Sequence, residues 1–432
     1  MTTKDLALSG SARGLPVLLV AHGAVMMHFV FSRAFRDSLL GSHLNIQSLP
    51  SLTVWSTVIA AAVSLLVSSL LRSERRAQIV RRLYAVNAVI EVLFSLGYRR
   101  LTWLYSVYYI EVGASTAIGL SMMWILIGDW ASSCHADRSE LIPKVLVYGT
   151  ATTLLAGIGL TRLREATSFG DATLMLAAMN AVAAAALLFY SNDYCLSRQR
   201  SVMQDVLQSA VQLSNSWVRK FALLTVVGAT ASTLLDLMFR IRVAEHYVHQ
   251  SDRLHFLGIF QSLLSVCTLL CQMTMSRVVH KQTKLTFFHL HPGLLCLASC
   301  TVIFAPGFWP FTFLRGGEYS LRNSVYRLGS EMAYAHFPDE KRGAIRPVID
   351  VIGERLGDFC ASGILAFLLF VNPRLPVRLG LFLLAVCSLL FWWVWRGLEQ
   401  NLIPVGATSR LEPATTQSRT YSEVAHEGAG IF

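Results

Sequence analysis

A chain of 432 residues that is 54% hydrophobic and 15% charged, with a mean hydropathy of +0.50, carries too little polar surface for a water-soluble globule. Its net charge of +11 lies on short links between apolar runs, and no Lys/Arg block with interleaved aromatics occurs, which excludes a nucleic-acid-binding protein. The runs are continuous and of helical length, so the chain reads as an all-α polytopic membrane protein rather than a β-barrel.

In chain order the runs give about twelve spans, at 15–35, 50–71, 83–98, 101–130, 142–161, 171–192, 220–239, 254–276, 286–308, 312–335, 347–371 and 376–397. The first runs from Leu15 to Phe31 and is followed by Arg33 and Arg36, not by a small-residue cleavage site, so it is expected to remain as a span. The link RSERRAQIVRR then holds Arg72, Arg75, Arg76, Arg81 and Arg82. Cytoplasmic links collect Lys and Arg, so this link and both termini are expected on the cytoplasmic side, and a cell inner membrane is expected because no Ser-rich, Arg-rich transit peptide precedes the first span. The fourth run is long enough to tilt or to hold an interfacial turn, and the tenth contains Arg315, Glu318, Arg322 and Arg327.

The sizeable polar connection at 193–219 divides the chain into an N-terminal six-helix half, 1–192, and a C-terminal six-helix half, 220–397. Residues 398–432, rich in Thr, Ser, Glu and Gly, read as a disordered cytoplasmic tail. Six spans, a linker and six spans is the plan of a major-facilitator-like transporter. Eight cysteines lie mostly inside apolar runs, which argues against a disulfide framework. Cys267/Cys271 and Cys296/Cys300 have helical spacing but no second ligand pair nearby, so no metal or cofactor is expected.

Charges at membrane depth narrow the function, because each costs a few kcal/mol unless it faces a cavity, a partner or a transported ion. Four stand out: Arg36 in FSRAFRDSLL, Glu111 in LYSVYYIEVGASTAIGLSMMW, Asp236 in TASTLLDLMFRIR and Arg346 in KRGAIRPVID. Arg36 and Arg346 sit near span ends, where arginines also snorkel to headgroups. Asp236 is one turn from Arg240, a spacing that serves a local ion pair as well as a site. Glu111, deep in an apolar run, reads as cavity-facing. Tyr108, Tyr109 and Trp124 suit packing or, less often, stacking on a ring.

The stretch GEYSLRNSVYRLGSEMAYAHFPDEKRGAIRPVIDVIGERLGD, residues 317–358, resembles the region before the penultimate span of the ATP/ADP translocase family, the nucleotide transporters of plastids and obligate intracellular bacteria. Glu331 to Tyr334, the basic Arg346, Asp350, then Gly353, Arg355 and Gly357 follow the family pattern. FRDSLL is similar to its first-span Lys-Asp element, YYIEVGASTAIGLSMMW to its Glu-bearing region and LLDLMFR to its Glu-x-x-x-Lys element. The resemblance therefore places Arg36, Glu111, Asp236 and Arg346 on the family's substrate-governing positions, with Arg240, Asp350, Arg355, Tyr334 and Glu331 in support. Arg stands for Lys at two of these positions and Asp for Glu at one.

The resemblance implies ATP/ADP-type exchange by alternating access, Arg36 and Arg346 clamping a small anionic solute while Glu111 and Asp236 balance them in the empty site. Proton coupling through Glu111 or Asp236 is the variant, as is export of a non-nucleotide metabolite such as a phosphorylated compound, a peptide-like compound or a chelator. Asp350, Glu354 and Arg355 suit a lock between spans eleven and ten equally well. Enzymatic activity is not expected, since the loops hold no catalytic constellation, and an ATP-driven pump is excluded by the lack of a Gly-x-x-x-x-Gly-Lys-Ser/Thr loop. The lipid bilayer is the expected partner and a monomer the expected state.

Overall fold

A computed structural model of the chain describes residues 3–73, 76–133, 138–163, 168–190, 216–279, 290–326, 349, 353–372 and 377–399. The expected tail from 400 on, and most of the expected linker, lie outside these residues. Twelve α-helices occur among them: α1 Thr3–Ser38, α2 Leu49–Ser73, α3 Arg76–Gly97, α4 Leu104–Ser133, α5 Arg138–Arg162, α6 Phe169–Ala186, α7 Ser216–His246, α8 Gln250–Val279, α9 Leu290–Phe304, α10 Phe308–Leu321, α11 Glu354–Val371 and α12 Val377–Glu399. No strand occurs among the described residues.

Eight of these helices are long and apolar enough to cross a membrane. The four that fall short are instructive. α9 and α10 are brief, α10 carries Arg315 and Glu318, α3 carries Arg76, Arg81, Arg82 and Glu91, and α11 opens with Glu354, Arg355 and Asp358. Interior charge lowers apolar character where helices pack against one another. Large apolar side chains such as Trp55, Phe304, Phe313, Phe370 and Trp393 stand more than half exposed on the outside, where lipid would cover them.

Local sequence sets several boundaries. α4 is a single helix without the interfacial turn allowed for in 101–130, and the turn falls before it, at 98–103. α6 starts at a capping box: the Ser168 hydroxyl accepts from the Asp171 N–H at 3.2 Å, and the Asp171 carboxylate accepts from the Ser168 N–H at 3.2 Å. α10 passes at its end into a π-helical turn, Arg322–Tyr326, the kind of local widening that often marks a working part of a helix.

The helices pack as two groups. In the first, α1 lies against α4, α5 and α6, α3 against α4 and α6, and α2 against α4; in the second, α7 lies against α10, α11 and α12, and α9 and α8 against α10. The groups meet chiefly where α5 crosses α8 and α2 crosses α11. At the first crossing Gly157 faces Gly258: a Cβ on Gly157 would stand 2.8 Å from the Ser262 nitrogen, and one on Gly258 would stand 3.1 Å from the Gly157 carbonyl. The two backbones thus approach closely, with only the Ser262 hydroxyl and the Leu160 Cβ crowding the glycines, the small-residue contact that membrane helices favour. Gly357 does the same for α11 against α7, where a Cβ would lie 2.4 Å from that of Ala229.

Candidate substrate site

The sequence around α1 places Arg33, Arg36 and Asp37 at i, i+3 and i+4, so all three project from one face of its last turns. That face meets α7, whose Asp236 and Arg240 share a face one turn apart, and α10, which presents Arg315 and Glu318. Arg36, Arg240, Arg315 and Glu318 are buried and Asp37 and Asp236 nearly so. Charges at this depth are tolerable because they satisfy one another.

The pairing runs across the helices. Arg315 donates to Asp236 Oδ1 at 2.6 Å and also to Glu318 on its own helix, while Arg240 donates to Asp236 Oδ2. Arg240 Nε stands 3.4 Å from Asp37 Oδ2, and its Nη1 donates to the Tyr109 hydroxyl at 2.7 Å. Arg36 Nε donates to Asp37 Oδ1 at 2.8 Å, and its guanidinium lies over the Tyr109 ring, 4.7 Å from the centroid. Arg33 completes the ring of cations, 3.8 Å from Asp236 Oδ2. Four guanidinium groups therefore surround three carboxylates.

Of the residues singled out in the sequence, Arg36, Asp236 and Arg240 come together here. Glu111 stands apart, on α4 with His28 and Glu91 as its ionisable neighbours. Arg355 donates to Asp358 at 2.8 Å, and Asp358 accepts from Thr233 at 2.6 Å, so this end of α11 is held to α7. Glu354 lies 3.6 Å from Arg322, tying α11 to the π-helical turn at the end of α10. Glu331, Tyr334, Arg346 and Asp350 lie outside the described residues.

Sequence reading missed Arg33, Asp37, Arg315 and Glu318 as members of the cluster, and His28, Glu91 and Asn180 altogether. Arg315 and Glu318 were visible only as charges within the tenth run. Glu91 in AVIEVLFSLG carries the same signal that drew attention to Glu111, a single carboxylate in an apolar run.

The comparisons with solved structures bear on the architecture. A point mutant of the nucleoside transporter NupG superposes with a TM-score of 0.68 at 10% identity, over 89% of this chain and 99% of that one. The chain has an all-α, major-facilitator-like fold. NupG itself gives 0.62 at 11% identity, over 88% and 98%, and the human organic anion transporter MFSD10 gives 0.64 at 12%, over 89% and 99%. No family model matches the chain and no curated protein matches it. At these identities the likeness is one of fold, an all-α, multi-pass membrane architecture.

Proposed function

We propose that the chain carries a small organic anion across the membrane by alternating access, binding it at the arginine cluster between the two helix groups. The observation that supports this is the charge excess of the cluster, four guanidinium groups against three carboxylates, contributed by α1, α7 and α10. In the substrate-free site Asp37 and Asp236 occupy the forks of Arg36, Arg240 and Arg315. A phosphate or carboxylate group competes for those forks through bidentate, charge-assisted hydrogen bonds.

Nucleotides of the ATP/ADP type, taken in exchange, come first within this class because of the motif in 317–358, which would make the chain a divergent member of that translocase family. Arg346 enters the site on the same ground. Arg in place of Lys at 36 and 346 favours a flat, bidentate oxyanion and keeps a non-nucleotide phosphorylated metabolite as the second reading. Cytoplasmic termini belong to the proposal through the distribution of Lys and Arg, and a cell inner membrane and a monomeric state go with it.

The test is uptake of radiolabelled ATP into proteoliposomes preloaded with ADP, wild type beside Arg36→Ala and Arg315→Ala. Flux that requires internal nucleotide and is lost in both variants is expected. Absence of flux from folded wild-type protein would retire nucleotides, and flux untouched by both variants would retire the arginine cluster as the site.

A further inference from the structure

Inside the first helix group, α1, α3, α4 and α6 enclose a second cluster of opposite character. His28 Nε2 lies 2.5 Å from Glu91 Oε1, and the Asn180 amide donates to Glu91 Oε2 at 2.8 Å. Glu91 is fully buried, with His28 and Asn180 almost so. Both oxygens of Glu91 are thereby engaged.

Glu111 faces the same space from α4, with Glu91 and His28 as its titratable neighbours and Ser115 beside it on α4. Neither of its enclosed carboxylate oxygens accepts a hydrogen bond. Tyr108, wholly buried, brings a hydroxyl without a partner into the reach of Glu91 and Glu111, with Arg36 and Asp37 beyond them. One imidazolium can balance one carboxylate, and Glu91 holds it. A second ionised carboxylate without a cation of its own in a water-poor interior is costly, and a bound proton removes that cost.

We infer that Glu111 binds one exchangeable proton, making this a proton-binding site separate from the arginine cluster. On release the His28 imidazolium gives up its proton to water and takes the Glu111 proton in its place, with no electron transfer and with Glu111 left as a carboxylate. That carboxylate then competes with Glu91 for His28. α4 carries the change to the arginines, since Tyr109, next to Tyr108, holds both Arg36 and Arg240. The inference rests on the transporter fold and on these four helices, whichever anion the arginines take.

The experiment is a pH titration of purified, substrate-free protein in lipid nanodiscs, followed by infrared difference spectroscopy of the protonated-carboxyl C=O stretch between about pH 5 and 8. Wild type is expected to show one such band that fades as pH rises, Glu111→Gln to lack it and Glu111→Asp to retain it. Glu91→Gln frees His28 for Glu111, so the band should disappear at lower pH than in wild type. That variant also decides the matter should Glu111→Gln fail to fold. A band unchanged in Glu111→Gln, or no titrating band in wild type, would overturn the proposal, as would a sodium-dependent rather than pH-dependent spectrum.

Discussion

Around Asp236 both carboxylate oxygens meet a guanidinium, one from α7 itself and one from α10, whereas around Glu91 two carboxylates stand within reach of a single imidazole. The first cluster is rich in cations and lies where the helix groups meet; the second is rich in acids and lies within one group. The difference teaches what each can exchange. Surplus guanidinium groups can trade an internal carboxylate for an external anion, while surplus carboxylates can only be neutralised by a cation small enough to enter a packed interior.

The largest effect that would break this contrast is Asp236→Ala. It strands Arg240 and Arg315 together, and removing one partner of a buried ion pair costs about 3–5 kcal/mol. Thermal unfolding in detergent should show the largest loss of stability among the variants considered; a stability close to wild type would mean that the arginines are hydrated and the cluster is not a closed network. Next comes Asn180→Ala, which leaves Glu91 Oε2 without its donor at a cost of about 2 kcal/mol. Its destabilisation should vanish in the Glu91→Leu background, and full additivity of the two changes would deny the contact.

Tyr109→Phe is the mildest. It deletes the 2.7 Å hydrogen bond to Arg240 yet keeps the ring under Arg36, so about 1 kcal/mol should be lost. Anion affinity, measured by the same uptake assay, should fall less than in Arg315→Ala. A larger fall would move Tyr109 from a support of the arginines to a substrate contact.

The architecture was legible because spanning a bilayer demands long apolar helices, and that demand is written locally in each run. The Asp236–Arg240 pair was legible for a similar reason: its partners are four residues apart on one helix. Arg315 was not, because its partner Asp236 is 79 positions away and only the packing of α10 on α7 joins them. His28 and Glu91 are separated by 63 positions, and a histidine in an apolar run looks like any packed histidine until its neighbour is known. Glu111 was found by hydropathy, and the structure sets it beside His28 and Glu91, which hydropathy could not show because it places a charge in depth but does not say which way the helix faces.

The close crossing of Gly157 on Gly258 has a mechanical consequence. What joins α5 to α8 there is short and neutral: Thr153 to Ser265 at 2.9 Å, Thr150 to Gln272 at 3.3 Å and His255 to the Thr161 carbonyl at 3.3 Å. In a molecule that rocks about this point the pivot is a hinge pinned by a few neutral hydrogen bonds, and the larger resistance to motion resides in the ionic latch between α1, α7 and α10. The turnover of such a machine is governed first by what unlocks the latch.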